Sequence, residues 1–194
     1  MYPTLALTLT RRISARSAIL TDVALILVGS LLVAALAQVS IPLPFTPVPI
    51  TGQTFAVLIV GAALGSKRGA ASLVAYVAEG LAGLPVFALG KSGLAVLLGP
   101  TGGYLVGFIV AAFVVGLLAE HGLDRNWKTA IVPFLVGTVA IYLFGASWLA
   151  VFVGLDKALA SGLYPFLIGD AIKLVLAAVA MPSAWATAKG FDRS

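Results

Sequence analysis

The final apolar segment of the chain reads Gly162-Leu-Tyr-Pro-Phe-Leu-Ile-Gly-Asp-Ala-Ile-Lys-Leu-Val-Leu-Ala-Ala-Val-Ala-Met181, and its only charged residues are Asp170 and Lys173. About twenty apolar residues suffice for a helix to cross a bilayer. A charge at that depth costs about 3 kcal/mol on insertion scales, so membrane proteins keep one mainly where it meets a cavity, a partner charge or a polar ligand. At i, i+3 the two side chains share one helix face. We therefore predict a buried polar site here, the alternative being an ion pair that only locks helices together.

The composition is that of an integral membrane protein. Of the 194 residues, 61% are hydrophobic and 10% are charged, against about 25% charged in soluble domains. Apolar runs broken by Pro, Gly and charge predict an all-α membrane protein with six transmembrane helices, over residues 18–41, 52–65, 69–83, 103–120, 130–153 and 162–188. The second and third are short for a span, so we expect them to be tilted or to flank a re-entrant surface. Residues 1–17 are predicted to form a separate N-terminal segment, and residues 18–190 the membrane domain.

The distribution of basic residues predicts the orientation in the membrane. Two lysines, Lys91 and Lys157, fall on connections of one side, and nine Lys and Arg residues fall on the other: Arg11, Arg12, Arg16, Lys67, Arg68, Arg125, Lys128, Lys189 and Arg193. Because basic residues accumulate on the cytoplasmic side, we expect both termini to be cytoplasmic, in a multi-pass protein of a prokaryotic cytoplasmic membrane. The basic residues form no aromatic-interleaved stripe, so the net charge of +5 does not indicate nucleic-acid binding.

Few residues that carry catalytic or metal chemistry are present. The chain has no cysteine, and its one histidine, His121, lies in a polar connection. With no paired carboxylates at membrane depth either, the sequence argues against a metal centre and an intramembrane enzyme, and we expect no cofactor. The segment Pro85-Val-Phe-Ala-Leu-Gly-Lys-Ser92 approaches a phosphate-binding loop but has Pro85 where that motif requires Gly. Any ATP must therefore be bound by another chain.

Two connections on the predicted outer side are unusual. Ile41–Pro49 contains four prolines in nine residues, and since each proline disfavours helix in the residue before it, we expect a stiff extended strap. Leu84–Gly103 is apolar, rich in glycine and carries Lys91. Because such a loop is poorly placed in free water, we expect it to fold over a cavity as a lid, the alternative being a plain interfacial connection.

Four motifs, in this order along the chain, resemble those of the BioY family: Ile41-Pro-Leu-Pro-Phe-Thr-Pro-Val-Pro-Ile-Thr-Gly-Gln53, Gly83-Leu-Pro-Val-Phe87, Gly99-Pro-Thr-Gly-Gly-Tyr104 and Gly169-Asp-x-x-Lys173. BioY proteins are the biotin-specific substrate-binding (S) subunits of energy-coupling factor (ECF) vitamin transporters. The resemblance runs from the first span to the last, and residues before about Arg16 carry no part of it. It implies a non-enzymatic six-helix subunit, surrounded by membrane lipid, that is energised by a transmembrane coupling subunit and ATPase subunits, although some members are thought to work without them.

The resemblance also assigns roles to individual residues. In the family, an Ala-xxx-Ala stripe on the first helix docks on the coupling subunit, and Ser30 and Ala34 stand at the matching positions here. Internal helix packing by these small residues is the alternative.

For biotin, Lys173 can donate to the ureido oxygen while Asp170 accepts from an N–H. The remaining predicted ligand-binding residues are Gln53 as a donor and acceptor, Phe45, Phe87 and Tyr104 as apolar walls, Lys91 as the partner of the biotin carboxylate, and Glu79 at the cavity entrance. The reverse pose, with Lys173 on the carboxylate, stays open, and Glu79 can equally extend outward.

Other functions are compatible with the residues alone. A binding subunit or solitary carrier for another small anionic vitamin would need a similar buried pair. A membrane scaffold without transport activity would use Asp170 and Lys173 only to lock helices. A ligand-dependent rise in thermal stability distinguishes the transport functions from the scaffold. Competition by biotin analogues then distinguishes a biotin site from a site for another vitamin.

Overall fold

Helices dominate the computed structural model, which describes residues 2–9 and 18–191, with side chains described as far as residue 188. In chain order the helices are α1 (Leu5–Leu9), α2 (Ala18–Gln38), α3 (Gln53–Leu64), α4 (Ser66–Leu81), α5 (Leu94–Leu98), α6 (Gly102–Glu120), α7 (Ile131–Val153), α8 (Leu155–Gly162) and α9 (Leu167–Phe191). Single turns of 3-10 helix cover Ala88–Gly90, Leu123–Arg125 and Tyr164–Phe166. Arg11, Arg12, Arg16, Arg193 and the side chain of Lys189, all counted in the predicted orientation, lie outside what is described.

Six helices overlap the six predicted ranges, with two differences. The range predicted as 162–188 is interrupted by the 3-10 turn at Tyr164–Phe166, so α9 begins only at Leu167. Pro165 accounts for the break, since it cannot donate a helical hydrogen bond. The short helices α1, α5 and α8 were not predicted. Four runs in the described part of the chain are long and apolar enough to cross a membrane: Ala18–Gln38, Gly102–Glu120, Ile131–Val153, and 155–188, which joins α8 to α9.

The connections gather at two ends of the helix bundle. At the end that we call the strap end, Thr46 donates to the Ser161 carbonyl (2.7 Å) and Trp148 to the Gly99 carbonyl (2.9 Å). At the opposite, N-terminal end, the Tyr2 amide donates to the Glu120 carbonyl (2.8 Å). The strap end thus collects residues 39–52, 82–101 and 154–166. The N-terminal end collects residues 2–9, the α3–α4 turn, the α6–α7 connection and the end of α9.

The strap is a hairpin rather than an extended segment. Ser40–Ile41 (β1) pairs antiparallel with Ile50–Thr51 (β2), and the chain turns between them. The prolines between the strands prevent further pairing because they lack N–H donors. The strap therefore folds back on itself and leads directly into α3 at Gln53, at the mouth of the bundle.

Helix α6 lies at the centre of the bundle because its glycines let neighbouring helices approach closely. A Cβ atom at Gly116 would lie 2.3 Å from the backbone of Gly65, and one at Gly103 would lie 2.2 Å from Trp148. These contacts bring α6 against the α3–α4 turn and against α7. Tyr104 and Phe108 of α6 are consequently buried and face the interior of the strap end.

Candidate functional site

A cavity of about 80 Å³ lies at the strap end, below the strap and the α4–α5 loop. One ordered water needs roughly 10–15 Å³, so the space exceeds that of a water site. Six of the residues singled out by sequence line it together: Gln53, Phe87, Lys91, Tyr104, Asp170 and Lys173. They come from four elements, which are α3, the α4–α5 loop, α6 and α9, and side chains of α7 line the cavity beside them.

The Asp170–Lys173 pair forms one wall of this cavity. Lys173 Nζ lies 2.8 Å from Asp170 Oδ1, and the Asp170 residue is only 6% exposed. Two hydroxyl groups complete the wall. Thr54 of α3 donates to Asp170 Oδ1 (2.9 Å) and accepts from Lys173 Nζ (3.0 Å), and Tyr142 of α7 donates to Asp170 Oδ2. The buried charges are therefore paired and hydrogen-bonded, as low-dielectric surroundings require.

Gln53, a second polar residue of the cavity, is held in place by α4. Gln53 Nε2 donates to the Tyr76 hydroxyl (2.6 Å), which in turn donates to the Val86 carbonyl in the α4–α5 loop (3.1 Å). The ring of Phe87 packs edge-on against Tyr76, with centroids 5.5 Å apart. It occupies the space of a missing side chain at Gly80, where a Cβ atom would lie 2.1 Å from the ring. Gln53 and Phe87 are thus positioned by the last turns of α4.

Lys91 lies on the part of the α4–α5 loop that borders the cavity. The loop reverses direction between Phe87 and Lys91, whose backbones pair (3.0 Å), and this needs left-handed conformations at Leu89 (φ 63°) and Gly90 (φ 67°). The two ion pairs found in the described part of the chain, Arg68–Asp22 and Asp170–Lys173, do not include Lys91. Its ammonium group is available for an anionic ligand.

Tyr104 contributes to the cavity from the first turn of α6. Its hydroxyl donates to the Gly162 carbonyl at the end of α8 (2.7 Å). The ring packs closely on α7, where a Cβ atom at Gly145 would lie 2.3 Å from it. Tyr104 therefore both walls the cavity and ties α6 to the α7–α9 connection.

Two predicted ligand-binding residues lie elsewhere. Phe45 sits on the turn of the strap hairpin, is 64% exposed and does not line the cavity, and its role as a wall stays a prediction. Glu79 does not line the cavity either, because its side chain turns to α2 and accepts a hydrogen bond from Ser30 (2.6 Å). Glu79 therefore contributes to the contact between α4 and α2.

The predicted docking residues Ser30 and Ala34 face the inside of the bundle. Ser30 is fully buried, Ala34 is 8% exposed, and at Gly29 a Cβ atom would lie 2.5 Å from Ser72 of α4. The small residues thus permit close packing of α2 on α4. This packing agrees with the alternative of an internal contact, and the role of the two residues in docking on a partner stays a prediction.

Thr54, Tyr142 and Tyr76 were not predicted from the sequence. Each lies in an apolar helix and carries a single hydroxyl, and such residues are common in membrane helices for packing reasons alone. Their importance comes from the juxtaposition of α3, α4, α7 and α9, which no spacing within one helix reveals. The one available signal was that a buried Asp–Lys pair needs further hydrogen-bond partners.

Comparison with known proteins identifies relatives over nearly the whole chain. Residues 8–190 match the model of the BioY family. That match begins before Arg16, where the motifs suggested that the resemblance starts. The biotin transporter BioY of Thermotoga maritima is 46% identical over 140 residues, which cover 72% of this chain and 82% of the relative. The probable biotin transporter BioY of Pyrococcus horikoshii is 41% identical over 143 residues, which cover 74% and 83%.

A solved structure has the same fold. The crystal structure of the S-component for biotin from an ECF-type ABC transporter superposes with a TM-score of 0.79 at 29% sequence identity, covering 88% of this chain and 94% of that one. The family match, the curated relatives and the shared fold agree. This chain belongs to the BioY family.

Proposed function

We propose that this protein captures biotin in the strap-end cavity and serves as the substrate-binding subunit of an ECF-type vitamin transporter. The observation that carries the proposal is the cavity wall formed by Asp170 and Lys173, with Lys91 across the same cavity. It offers an adjacent acceptor and donor for a urea and a separate cation for a carboxylate. The relatives named as biotin transporters support the choice of biotin.

Different cavity residues contact different parts of the ligand. Lys173 donates to the ureido oxygen and Asp170 accepts from an N–H, which are charge-assisted bonds and therefore strong. Phe87 and Tyr104 pack on the apolar ring system, and Gln53 adds a donor and acceptor at the side of the cavity. Lys91 pairs with the carboxylate of the tail at the loop.

The proposed subunit spans the cytoplasmic membrane six times, with both termini in the cytoplasm and the strap end outside. Four described basic residues lie at the N-terminal end, Lys67 and Arg68 in the first turn of α4 and Arg125 and Lys128 in the α6–α7 connection, whereas Lys91 and Lys157 lie at the strap end. This asymmetry supports a cytoplasmic N-terminal end. Residues 1–17 would then be a cytoplasmic segment ahead of the membrane domain of residues 18–190.

Transport itself is assigned to partner subunits. The S-component of known structure comes from an ECF-type ABC transporter, and we infer that a transmembrane coupling subunit and ATPase subunits energise this chain as well. In this proposal the chain binds its ligand and performs no chemistry on it. Membrane lipid covers the exposed apolar faces, such as those of α2 and α9.

The first experiment is equilibrium binding of biotin to the purified protein in detergent. Nanomolar binding with one site per chain is the expected result. Binding of a different vitamin in place of biotin would favour a carrier for that vitamin, and a well-folded protein that binds no vitamin would favour the scaffold. Copurification with an ATPase tests the partner assignment separately.

The orientation has its own test because the chain contains no cysteine. Single-cysteine variants Lys128→Cys and Lys157→Cys place one reporter at each end of the bundle. In intact cells a membrane-impermeant maleimide should label Lys157→Cys and leave Lys128→Cys unlabelled until the membrane is opened. The opposite labelling pattern would reverse the proposed orientation.

A further inference from the structure

The hydroxyl groups of Tyr142 and Thr54 leave few hydrogen-bonding positions of the Asp170–Lys173 pair unused. A carboxylate has about four acceptor positions. Asp170 Oδ1 receives Thr54 and Lys173, and Oδ2 receives Tyr142, so that one acceptor position stays open on Oδ2. An ammonium has three N–H donors. Lys173 uses one on Asp170 and one on Thr54, so that one donor stays open.

All four side chains line the same cavity, so the open positions are the ones a ligand meets. From this inventory we infer that Tyr142 and Thr54 are positioning residues that determine specificity. By occupying the other positions, they make the wall accept a neutral edge with one carbonyl oxygen beside one N–H, which is the edge of a cyclic urea or lactam. This inference rests on the proposed function, because it concerns how the same site selects its ligand.

The inventory also predicts which chemical groups the wall rejects. A carboxylate would bring two acceptors and a negative charge against Oδ2 of Asp170, and an edge with donors only would meet the open N–H of Lys173. In both cases a buried polar group is left unpaired, which is how hydrogen-bonding sites exclude ligands of similar shape. Selection here follows from the number of open positions, not from the size of the cavity.

Removing each hydroxyl changes the number of open hydrogen-bonding positions on Asp170 and Lys173 in a defined way. Tyr142→Phe opens a second acceptor position on Oδ2 and leaves the donors of Lys173 unchanged. Thr54→Val opens one acceptor position on Asp170 and one donor of Lys173, whereas Thr54→Ser keeps both bonds. Tyr142→Phe should therefore favour a ligand with more donors, and Thr54→Ser should behave like the wild type.

The experiment compares the dissociation constants of biotin and iminobiotin at neutral pH, where the imino group that replaces the ureido oxygen is protonated and forms a guanidinium edge with donors only. Wild type should bind biotin more tightly, because the iminobiotin edge has donors only. In Tyr142→Phe the ratio of the two constants should shrink about tenfold or more, the typical value of one hydrogen bond to a charged group. Tyr164→Phe is the matched control, since Tyr164 is exposed and does not line the cavity, and it should leave both constants unchanged.

The outcomes separate this inference from the proposed function. If Tyr142→Phe weakens both ligands by the same factor, the hydroxyl supports only the shape of the site and the inference is wrong, while biotin capture stands. The inference is also wrong, while biotin capture stands, if Thr54→Ser shifts the ratio of the two dissociation constants as far as Thr54→Val does. If wild-type protein binds neither ligand, both the inference and the proposed function are overturned. A reduced ratio in Tyr142→Phe together with a wild-type ratio in Thr54→Ser supports the inference.

Discussion

The strap-end half of the bundle and its N-terminal half share α3, α6, α7 and α9 but are stabilised differently. The strap-end half encloses a cavity and is crossed by hydrogen bonds between side chains of different helices. The N-terminal half is filled by a continuous apolar cluster that includes Leu58, Val115, Phe134, Leu174 and Met181. The cavity and this apolar cluster therefore lie in opposite halves of the same four helices.

Polar groups of the N-terminal half tie chain segments together instead of facing a cavity. The Arg125 guanidinium lies between the rings of Tyr2 and Trp185, 4.6 and 4.2 Å from their centroids, and donates to the Pro3 carbonyl (2.7 Å). Asp124 is 1% exposed and accepts from Trp185 Nε1 (2.6 Å). Residues 2–9, the α6–α7 connection and the end of α9 are thereby joined. This half closes the bundle below the cavity.

The largest effect expected in the N-terminal half comes from Phe134→Ala. Phe134 is fully buried in the apolar cluster, and removing such a ring costs about 3–5 kcal/mol of stability through lost transfer energy and the cavity left behind. The melting temperature in detergent should fall strongly while the biotin affinity of the folded fraction stays at the wild-type value. An affinity loss in the folded fraction would show that the two halves are not separate. Leu135→Ala, at an exposed position of the same helix, is the control.

In the strap-end half, Lys173→Met should weaken biotin binding, unlike Phe134→Ala. Removing one partner of a hydrogen-bonded buried charge pair typically costs about 2–5 kcal/mol in a complex, so biotin affinity should fall at least about thirtyfold. The variant also leaves Asp170 unpaired and is expected to lose stability. The double variant Asp170→Asn, Lys173→Met should recover stability but not binding, as thermal unfolding and titration would show. Wild-type affinity in either variant would remove the pair from the site.

A smaller effect is expected where α2 packs on α4. Ser30→Ala leaves the Glu79 carboxylate without the hydrogen bond that it accepts at 2.6 Å, which should cost about 1–3 kcal/mol as a partly buried unsatisfied group. The melting temperature should decrease, with biotin affinity unchanged because neither residue lines the cavity. Ser183→Ala, which removes an exposed hydroxyl from α9, serves as the control. A selective loss of affinity in Ser30→Ala would extend the site to α2.

The smallest effect is a pH dependence at the N-terminal end. Burial raises the pKa of Asp124 above its ordinary value, against the opposing effects of the Trp185 hydrogen bond and the Arg125 charge. The folded state therefore binds a proton more readily than the unfolded chain, so this contribution to stability is present at low pH and is lost as the pH rises through the folded-state pKa. Asp124→Asn should flatten the dependence of melting temperature on pH above the ordinary titration range of an aspartate. An unchanged profile would mean that Asp124 does not titrate in this range.

Much of the architecture was predictable from local patterns. Hydrophobic runs located α2, α3, α4, α6 and α7 to within a few residues, because a membrane helix must satisfy its own backbone and therefore leaves a continuous apolar signature. The break at Pro165 was missed because the apolar run continues through it. Helix α1 was missed because five residues are too few to show a periodicity.

The candidate site was predictable only in part. Asp170 and Lys173 stand out because charges in an apolar run are costly, and Lys91 and Gln53 stand out by their place beside glycine- and proline-rich connections. Phe45 and Glu79 do not line the cavity, since the sequence does not reveal which way a hairpin turn or a helix face points, and their role in binding stays a prediction. Ser30 and Ala34 illustrate the same ambiguity, since small residues suit an internal contact and a partner equally well.

Three properties follow from the amino-acid sequence alone: a helical membrane protein, a shared helix face for Asp170 and Lys173, and the family that the chain resembles. These properties follow from composition, from the 3.6-residue period and from motifs that are contiguous in the chain. Only the folded chain shows that Thr54 and Tyr142 hydrogen-bond to the pair, that Glu79 faces Ser30 and that Phe87 fills the space at Gly80. Contacts between residues far apart in sequence depend on how helices pack, and that packing is set by the whole chain.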